Sequence, residues 1–458
     1  MSSSYFSISA AIVILGVLVC PLVNAAEPKA SILSRVFYQD SENATLYWAD
    51  VSATDAPALS KPAVVDGFPE LDPAKQSLVQ MRIASGMLLV GVRDEEDGEF
   101  QSGWVLVDTG VREEEHGDHS HWHYEKPPVV RAMKLDDAQG NPAHLYCYDG
   151  VFYLANDAKN GFTRLDPSQI KDTDSGESIV ARAAFHSGGG GHITLAVDDG
   201  YAVSTWAGRD GENAGRVDVT PVSSKGTEEI AISFPLGFSG LHGATSAAGK
   251  FFFAPSDGVC WVSAKDAQKM DPSSIQVHHI DLGKDGETSR RTGSFTTHGD
   301  NVLFLTGKGE TASLAIIDAS EDQPEVLMIS VPTEEGARLA GPIVATPLRQ
   351  SPLAFLFHDH APGVDSPDIA TVVQLDPDKN GKFNDAKITT EIALGKSAVV
   401  GHAGHHEMGF DARGRFAWVS NPGDKNLTVL NLENLTVVAT HELVGTPSHL
   451  VSIGGRGH

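Results

Sequence analysis

Apolar and polar positions alternate in short runs along almost the whole chain, the two-residue period of a half-buried strand. One set of four reads His192-Ile-Thr-Leu-Ala-Val197, Tyr201-Ala-Val-Ser-Thr-Trp206, Val217-Asp-Val219 and Ile230-Ala-Ile-Ser-Phe234. Turn signals such as Asn160-Gly161, Asp199-Gly200, Asp257-Gly258 and Asn380-Gly381 punctuate these runs. A strand closing on apolar-x-Asp recurs at Asp50, Asp108, Asp166, Asp218, Asp318 and Asp376, and Ser263 and Asn431 mark two weaker copies. Successive copies lie 45 to 58 residues apart. Four short strands at that period predict blades of a β-propeller.

The ends of the chain predict how the ring closes. The first unit offers three strands, around Val36, Tyr47 and Val64, and lacks an innermost one, whereas His449-Leu-Val-Ser-Ile453 is a lone strand at the other end. Pairing them completes a shared blade and leaves no open edge. The expectation is an all-β fold, a single propeller of eight four-stranded blades over residues 26–458. Seven blades is the alternative, because the unit near residues 340–395 is irregular in pattern.

Composition adds compartment and excludes one partner. Residues 1–25 read as an export signal: an apolar stretch from about Ile8 to Val19 is followed by Pro21-Leu-Val-Asn-Ala25, which suits a signal peptidase, although no Lys or Arg precedes it. That stretch is shorter than the about 20 residues that span a bilayer, so no membrane span is expected after cleavage. Val19 precedes Cys20 where a lipidation site needs a small residue. Cleavage leaves Cys147 and Cys260 in an oxidising compartment, where a disulfide and two buried thiols are both open. A formal net charge of −26 excludes nucleic acid as a partner and favours cations.

The candidate chemistry is imidazole. His116-Gly-Asp-His119-Ser-His121-Trp-His123 follows Glu113-Glu114-Glu115 within an insertion at residues 113–126. Neutral imidazoles beside carboxylates form a chelating arm for a borderline divalent ion, zinc first, with copper or nickel behind. Six units also carry a histidine at or just before the expected start of the innermost strand: His144, His192, His242, His298, His406 and His449. In a propeller such connections surround the central channel at one face, so residues remote in sequence converge. Taken singly, each reads as a hydrogen bond within its blade, and only taken together do they point to a metal site in the channel. His186, His402 and His405 supplement them, as does the His358-Asp359-His360 run at the end of a second strand. The arm falls between the third and fourth strands of the second unit, a connection on the opposite face, which predicts a second site.

Three segments carry a resemblance: the His116-Gly-Asp-His119 insertion, the Leu241-His242-Gly243 blade start, and Gly404-His405-His406 ahead of Gly409-Phe410-Asp411. In these the chain resembles the AztD family of periplasmic zinc metallochaperones. The resemblance implies a periplasmic carrier that holds zinc and hands it to the solute-binding protein of a zinc-importing ABC transporter. It also implies that His116, His119, His242, His405 and His406 are ligands. His121 and His123 join them on chemical grounds, and His144 and His192 by blade position. Two other readings compete. One is a metal-dependent propeller enzyme of lactonase or copper oxidoreductase type, although neither Gly-x-Ser-x-Gly nor Cys-x-x-Cys-His occurs. The other is a protein-binding scaffold with structural histidines. Asp376-Pro-Asp378-Lys-Asn380-Gly381 resembles a calcium-loop fragment, but the glutamate that would complete it is absent, so a polar hairpin is expected.

Overall fold

The computed structural model describes residues 31–94, 101–117, 120–223 and 229–457. The proposed leader, Cys20 and His119 lie outside them. Eight four-stranded antiparallel sheets follow one another along the chain as the blades of a propeller, with two added two-stranded hairpins. The unit near 340–395 is a complete blade from Arg338–Ala345 to Lys387–Ala393, so the count is eight. Its innermost strand shifts register between Ala340 and Ile343, as those of the second and third blades do between Leu78 and Met81 and between Pro142 and Leu145.

The ring closes as the pattern predicts. Pro447–Ile453 is the innermost strand of the first blade and pairs antiparallel with Ile32–Asp40, setting Arg35 opposite Ile453 and Tyr38 opposite Leu450. The recurring acid has a mechanical role. In most blades it stands at or just after the end of the third strand, where its carboxylate turns the chain. Asp108 Oδ1 accepts from Gly110 N at 2.9 Å, Asp166 Oδ1 from Ser168 N at 3.1 Å, and Asp318 Oδ1 from Ser320 N at 3.0 Å. These are side-chain-capped turns. Asp50 and Asp218 are exceptions, lying within Thr45–Ser52 and Arg216–Pro221.

Successive side chains of a strand point to opposite faces, so a strand between two blades must be apolar on both. Phe251, Phe252 and Phe253 are all fully buried. Phe251 and Phe253 pack with Val203, Val217 and Val219 of the fourth blade, while Phe252 packs with Val302 and Phe304 of the sixth. Outermost strands such as Thr436–Glu442 are largely exposed. Cys147 and Cys260 are separate thiols in the third and fifth blades. Burial pushes Cys260 up to about 12, which makes it an inert core residue. Among the described residues no helix is long and apolar enough to cross a membrane.

Candidate metal centre

The innermost strands of the third, fourth and fifth blades begin beside one another and bring three imidazoles together. His144 is the third residue of Pro142–Tyr148, His192 precedes Leu195–Asp198, and His242 precedes Ala244–Ala247. Ring centroids lie 4.5 Å apart for His144 and His192, 4.9 Å for His192 and His242, and 6.2 Å for His144 and His242. The approach to His192 depends on glycine. A Cβ on Gly190 would stand 2.3 Å from the Trp206 ring, and Gly189 has φ +77°. Gly188–Gly191 is therefore the only kind of sequence that lets the chain run flat against Trp206 and deliver His192.

Hydrogen-bond partners assign the tautomers. His192 Nδ1–H donates to Asp157 Oδ2 at 3.2 Å, and Asp157 Oδ1 also accepts from Ile193 N at 3.0 Å. His242 Nδ1–H donates to Gly293 O at 3.1 Å. Both rings thus present an Nε2 lone pair, and His144 Nε2–H donates to His192 Nε2 at 2.9 Å. A ring whose outer N–H is held by a carboxylate or carbonyl is a pre-oriented metal ligand. Burial, then the neighbouring His192 and His242, push His144 down to about 3. Burial likewise lowers His242. The neutral, metal-binding form of both rings is favoured. The centre stands partly open, with the His242 ring farther from His144 than His192 is. Four nitrogens at 2.0–2.1 Å from one zinc ion sit about 3.3 Å apart, so gripping an ion requires His242 to close on the other two.

The other predicted pair sits elsewhere in the ring. His405 and His406 precede Met408–Phe410 of the eighth blade and face Asp359 at the end of Leu353–Asp359 in the seventh. His405 Nδ1–H donates to Asp359 Oδ2 at 2.8 Å and His406 Nδ1–H to Asp359 Oδ1 at 2.6 Å. His406 Nε2–H donates to Gly395 O at 3.0 Å. With a donor on both nitrogens, His406 is an imidazolium. Burial opposes that charge, but Asp359 and Asp368 outweigh it and the pKa is raised. Burial also opposes the charge on Asp359, and the two histidines outweigh it and lower its pKa. Among the described residues, Asp359, Asp368 and His406 are one of two groups with donor atoms mutually within 4.8 Å. Asp368 is already engaged by His360 Nδ1–H and Ser397 N–H. His358 donates to or accepts from Thr371 Oγ1 at 2.9 Å.

His298 departs from the predicted position. It is the last residue of the short strand Thr296–His298, at the far end of the sixth blade's innermost strand, and stacks on Phe383. The other compact acidic group, Asp376, Asp378 and Asp385, lies in the hairpin after Ile369–Gln374. Asp376 there caps Asn380 N and Gly381 N.

The insertion is a hairpin, Val111–Glu115 paired with Ser120–Tyr124. Register places Glu114 opposite His121 and Arg112 opposite His123, so alternation sets Glu114, His121 and His123 on one face and Trp122 and Tyr124 on the other. His123 Nε2 lies 3.1 Å from Glu114 Oε2, and His116 Nε2 lies 3.4 Å from Glu114 Oε1. The hydrogen bond from His123, then the charge of His116, lower the Glu114 pKa. Trp122 bridges Gly457, and Tyr124 O–H donates to Gly455 O at 2.9 Å. Those glycines follow the exit end of Pro447–Ile453, whereas the channel triad sits at the entry ends of its strands.

No family model and no curated protein matches the chain. Among solved structures, apo AztD from Citrobacter koseri superposes with a TM-score of 0.59 at 15% identity, over 93% of this chain and 99% of that one. The chain folds like AztD. A second structure of Citrobacter koseri AztD gives the same values. The dihydro-heme d1 dehydrogenase NirN in complex with DHE matches with a TM-score of 0.53 at 14% identity, over 93% of this chain and 76% of that one. The likeness to AztD thus extends from blade to blade, through a sequence in which few residues coincide. Within this AztD-like ring, sequence reasoning missed Asp157, Asp359 and Gly293, the acceptors that orient the histidines. Asp157 gives no local signal, since it lies 35 residues before His192. Glu114 was accessible, because alternation along Val111–Glu115 puts it with the histidines.

Proposed function

We propose that the chain is an exported, periplasmic zinc carrier. In this reading His144, His192 and His242 hold the ion in the channel, and Glu114, His116, His121 and His123, with His119, capture it or present it to a partner. The observation that carries the reading is the meeting of three neutral imidazoles from three consecutive blades, two with their outer N–H groups tied to Asp157 and Gly293 O. Three nitrogen donors leave a fourth position open, as exchange requires. A zinc ion at His144 Nε2 would require that ring's proton to shift to Nδ1, the imidazole staying neutral, and protonation of the imidazoles as pH falls would compete with loading. The partner, by the resemblance in the three segments above, is the solute-binding protein of a zinc ABC transporter. His405 and His406, held by Asp359, stay outside the ligand set in this reading.

The experiment is zinc titration against a chromophoric chelator, using the protein from residue 26 with and without residues 113–126. Zinc binding tighter than micromolar in the arm-deleted form, lost in His144→Ala/His192→Ala, supports the carrier. Failure of every form to bind at that strength ends it. The likeness to NirN keeps one enzyme reading in view. Visible absorbance of the purified protein separates the two, since a tetrapyrrole or copper absorbs and zinc does not.

A further inference from the structure

The mouth of the triad is cationic in a chain of net charge −26. Arg291 lies two residues before Gly293, the acceptor of His242, and its Nη2 donates to Gly240 O at 3.2 Å, two residues before His242. Arg209, between the second and third strands of the fourth blade, lies against the same glycine: a Cβ on Gly240 would stand 3.4 Å from Arg209 Cγ and 3.6 Å from its Nε. Burial, then the charge of Arg209, lowers the Arg291 pKa, so the two guanidiniums repel each other. On the far side Arg93 stands 3.9 Å from Asp157, and Arg82 and Arg93 both bear on His144. Among the described residues no carboxylate lies within ion-pair distance of Arg209, Arg291 or Arg82.

Such an arrangement favours an anion. A guanidinium keeps its charge in any protein environment and presents a rigid donor fork that matches an oxyanion. Two of them converge on one backbone glycine, Arg291 half-buried and Arg209 exposed beside it, neither paired with a carboxylate among the described residues, and they repel one another and also repel a bare divalent cation. An anion between them removes both penalties at once. It would also neutralise part of the charge of an ion held by three uncharged imidazoles.

We propose that the mouth of the triad is an anion site, in which Arg209 and Arg291 seat a carboxylate or oxyanion facing His242, so that its free oxygen is the fourth donor to the ion. The coordination half of the proposal rests on the carrier reading; the anion half does not. The same carboxylate chemistry comes from two sources, a small free anion or an acidic side chain of a docking protein.

The test begins with metal-free protein in chloride-free buffer, titrated calorimetrically with acetate, inorganic phosphate and an acetylated tri-glutamate peptide. Binding of at least one probe is expected, weakened on the order of 10–100-fold in Arg209→Gln/Arg291→Gln, the worth of a charge-assisted hydrogen bond. Arg209→Gln alone gives up no hydrogen bond of the fold and shows the same direction if the double variant folds poorly. Peptide binding tenfold or more above acetate assigns the site to a protein side chain, and comparable binding assigns it to a free anion. Zinc affinity should then rise with the bound probe in the natural chain and stay flat in the variants. No binding of any probe, or equal binding by the variants, overturns the proposal. A chain that binds anion but never zinc instead sinks the carrier reading and leaves the anion site standing.

Discussion

Two groups of histidines open innermost strands of the same ring, and they are in opposite electrical states. His144, His192 and His242 come from three neighbouring blades, and burial together with mutual repulsion keeps His144 and His242 neutral. His406 begins another innermost strand at a matching position, but Asp359 and Gly395 O take both of its protons in hydrogen bonds and hold it charged. The difference is the acceptor. One carboxylate on an outer nitrogen, as Asp157 provides for His192, leaves a lone pair pointing inward; acceptors on both nitrogens consume the ring. A histidine at a channel position is therefore a ligand or a bolt according to what its second nitrogen meets.

The comparison breaks most visibly on zinc affinity. Replacing His144 and His192 by Ala removes two donors and is expected to weaken zinc by far more than the 10–100-fold typical of a supporting group, measured by chelator competition. His405→Ala and His406→Ala should leave zinc affinity within a few-fold of the natural chain. Equal losses at both places would erase the distinction.

Stability should divide the other way. Asp359 is fully buried with two histidines on it, and Asp359→Asn leaves a buried imidazolium without its counter-charge. Breaking a buried pair in this way costs about 3–5 kcal/mol, read as a fall in the denaturation midpoint with zinc affinity kept. A melt as stable as the natural chain would show that the pair contributes nothing.

The parts of this picture legible in the sequence are those that repeat. Strand alternation, the polar residue that recurs near the end of each third strand and the orphan strand at His449–Ile453 all follow from local rules, so eight blades and their closure were readable. Blade position also brought out His144, His192 and His242, since three consecutive innermost strands must begin side by side. What stayed hidden is pairing across the ring. Nothing near His406 announces Asp359, 47 residues earlier, and nothing near Arg209 announces Arg291. His298 shows the limit of counting: its innermost strand has three residues, and a strand that short lets one residue of register move a side chain from entry to exit.

A smaller effect sharpens the triad itself. Asp157→Asn keeps the size of the side chain but loses the charge that fixes His192 in its Nδ1–H tautomer. Zinc affinity should fall about 10–100-fold, with the melting behaviour of the metal-free chain nearly unchanged. An unaltered affinity would mean that the ring is held by packing against its neighbours instead.

The smallest expected effect is a difference in pH response between the two groups in the metal-free chain. His144 has a folded pKa of about 3, below the about 6.5 of an unfolded histidine. Between those values the unfolded state binds the extra proton, so this group lowers stability as pH falls, by no more than about 2 kcal/mol at pH 5. His406 runs in reverse: its folded pKa is raised, so its contribution is fully present below about pH 6.5 and fades as pH climbs through the folded value. Asp359, with its pKa lowered, keeps its own contribution above about pH 4. Denaturation at pH 5 and pH 8 should therefore show His144→Gln gaining relative stability at pH 5, while His406→Gln loses most there. Parallel shifts in the two variants would mean that both rings share one protonation state, and the contrast between ligand and bolt would have no electrostatic basis.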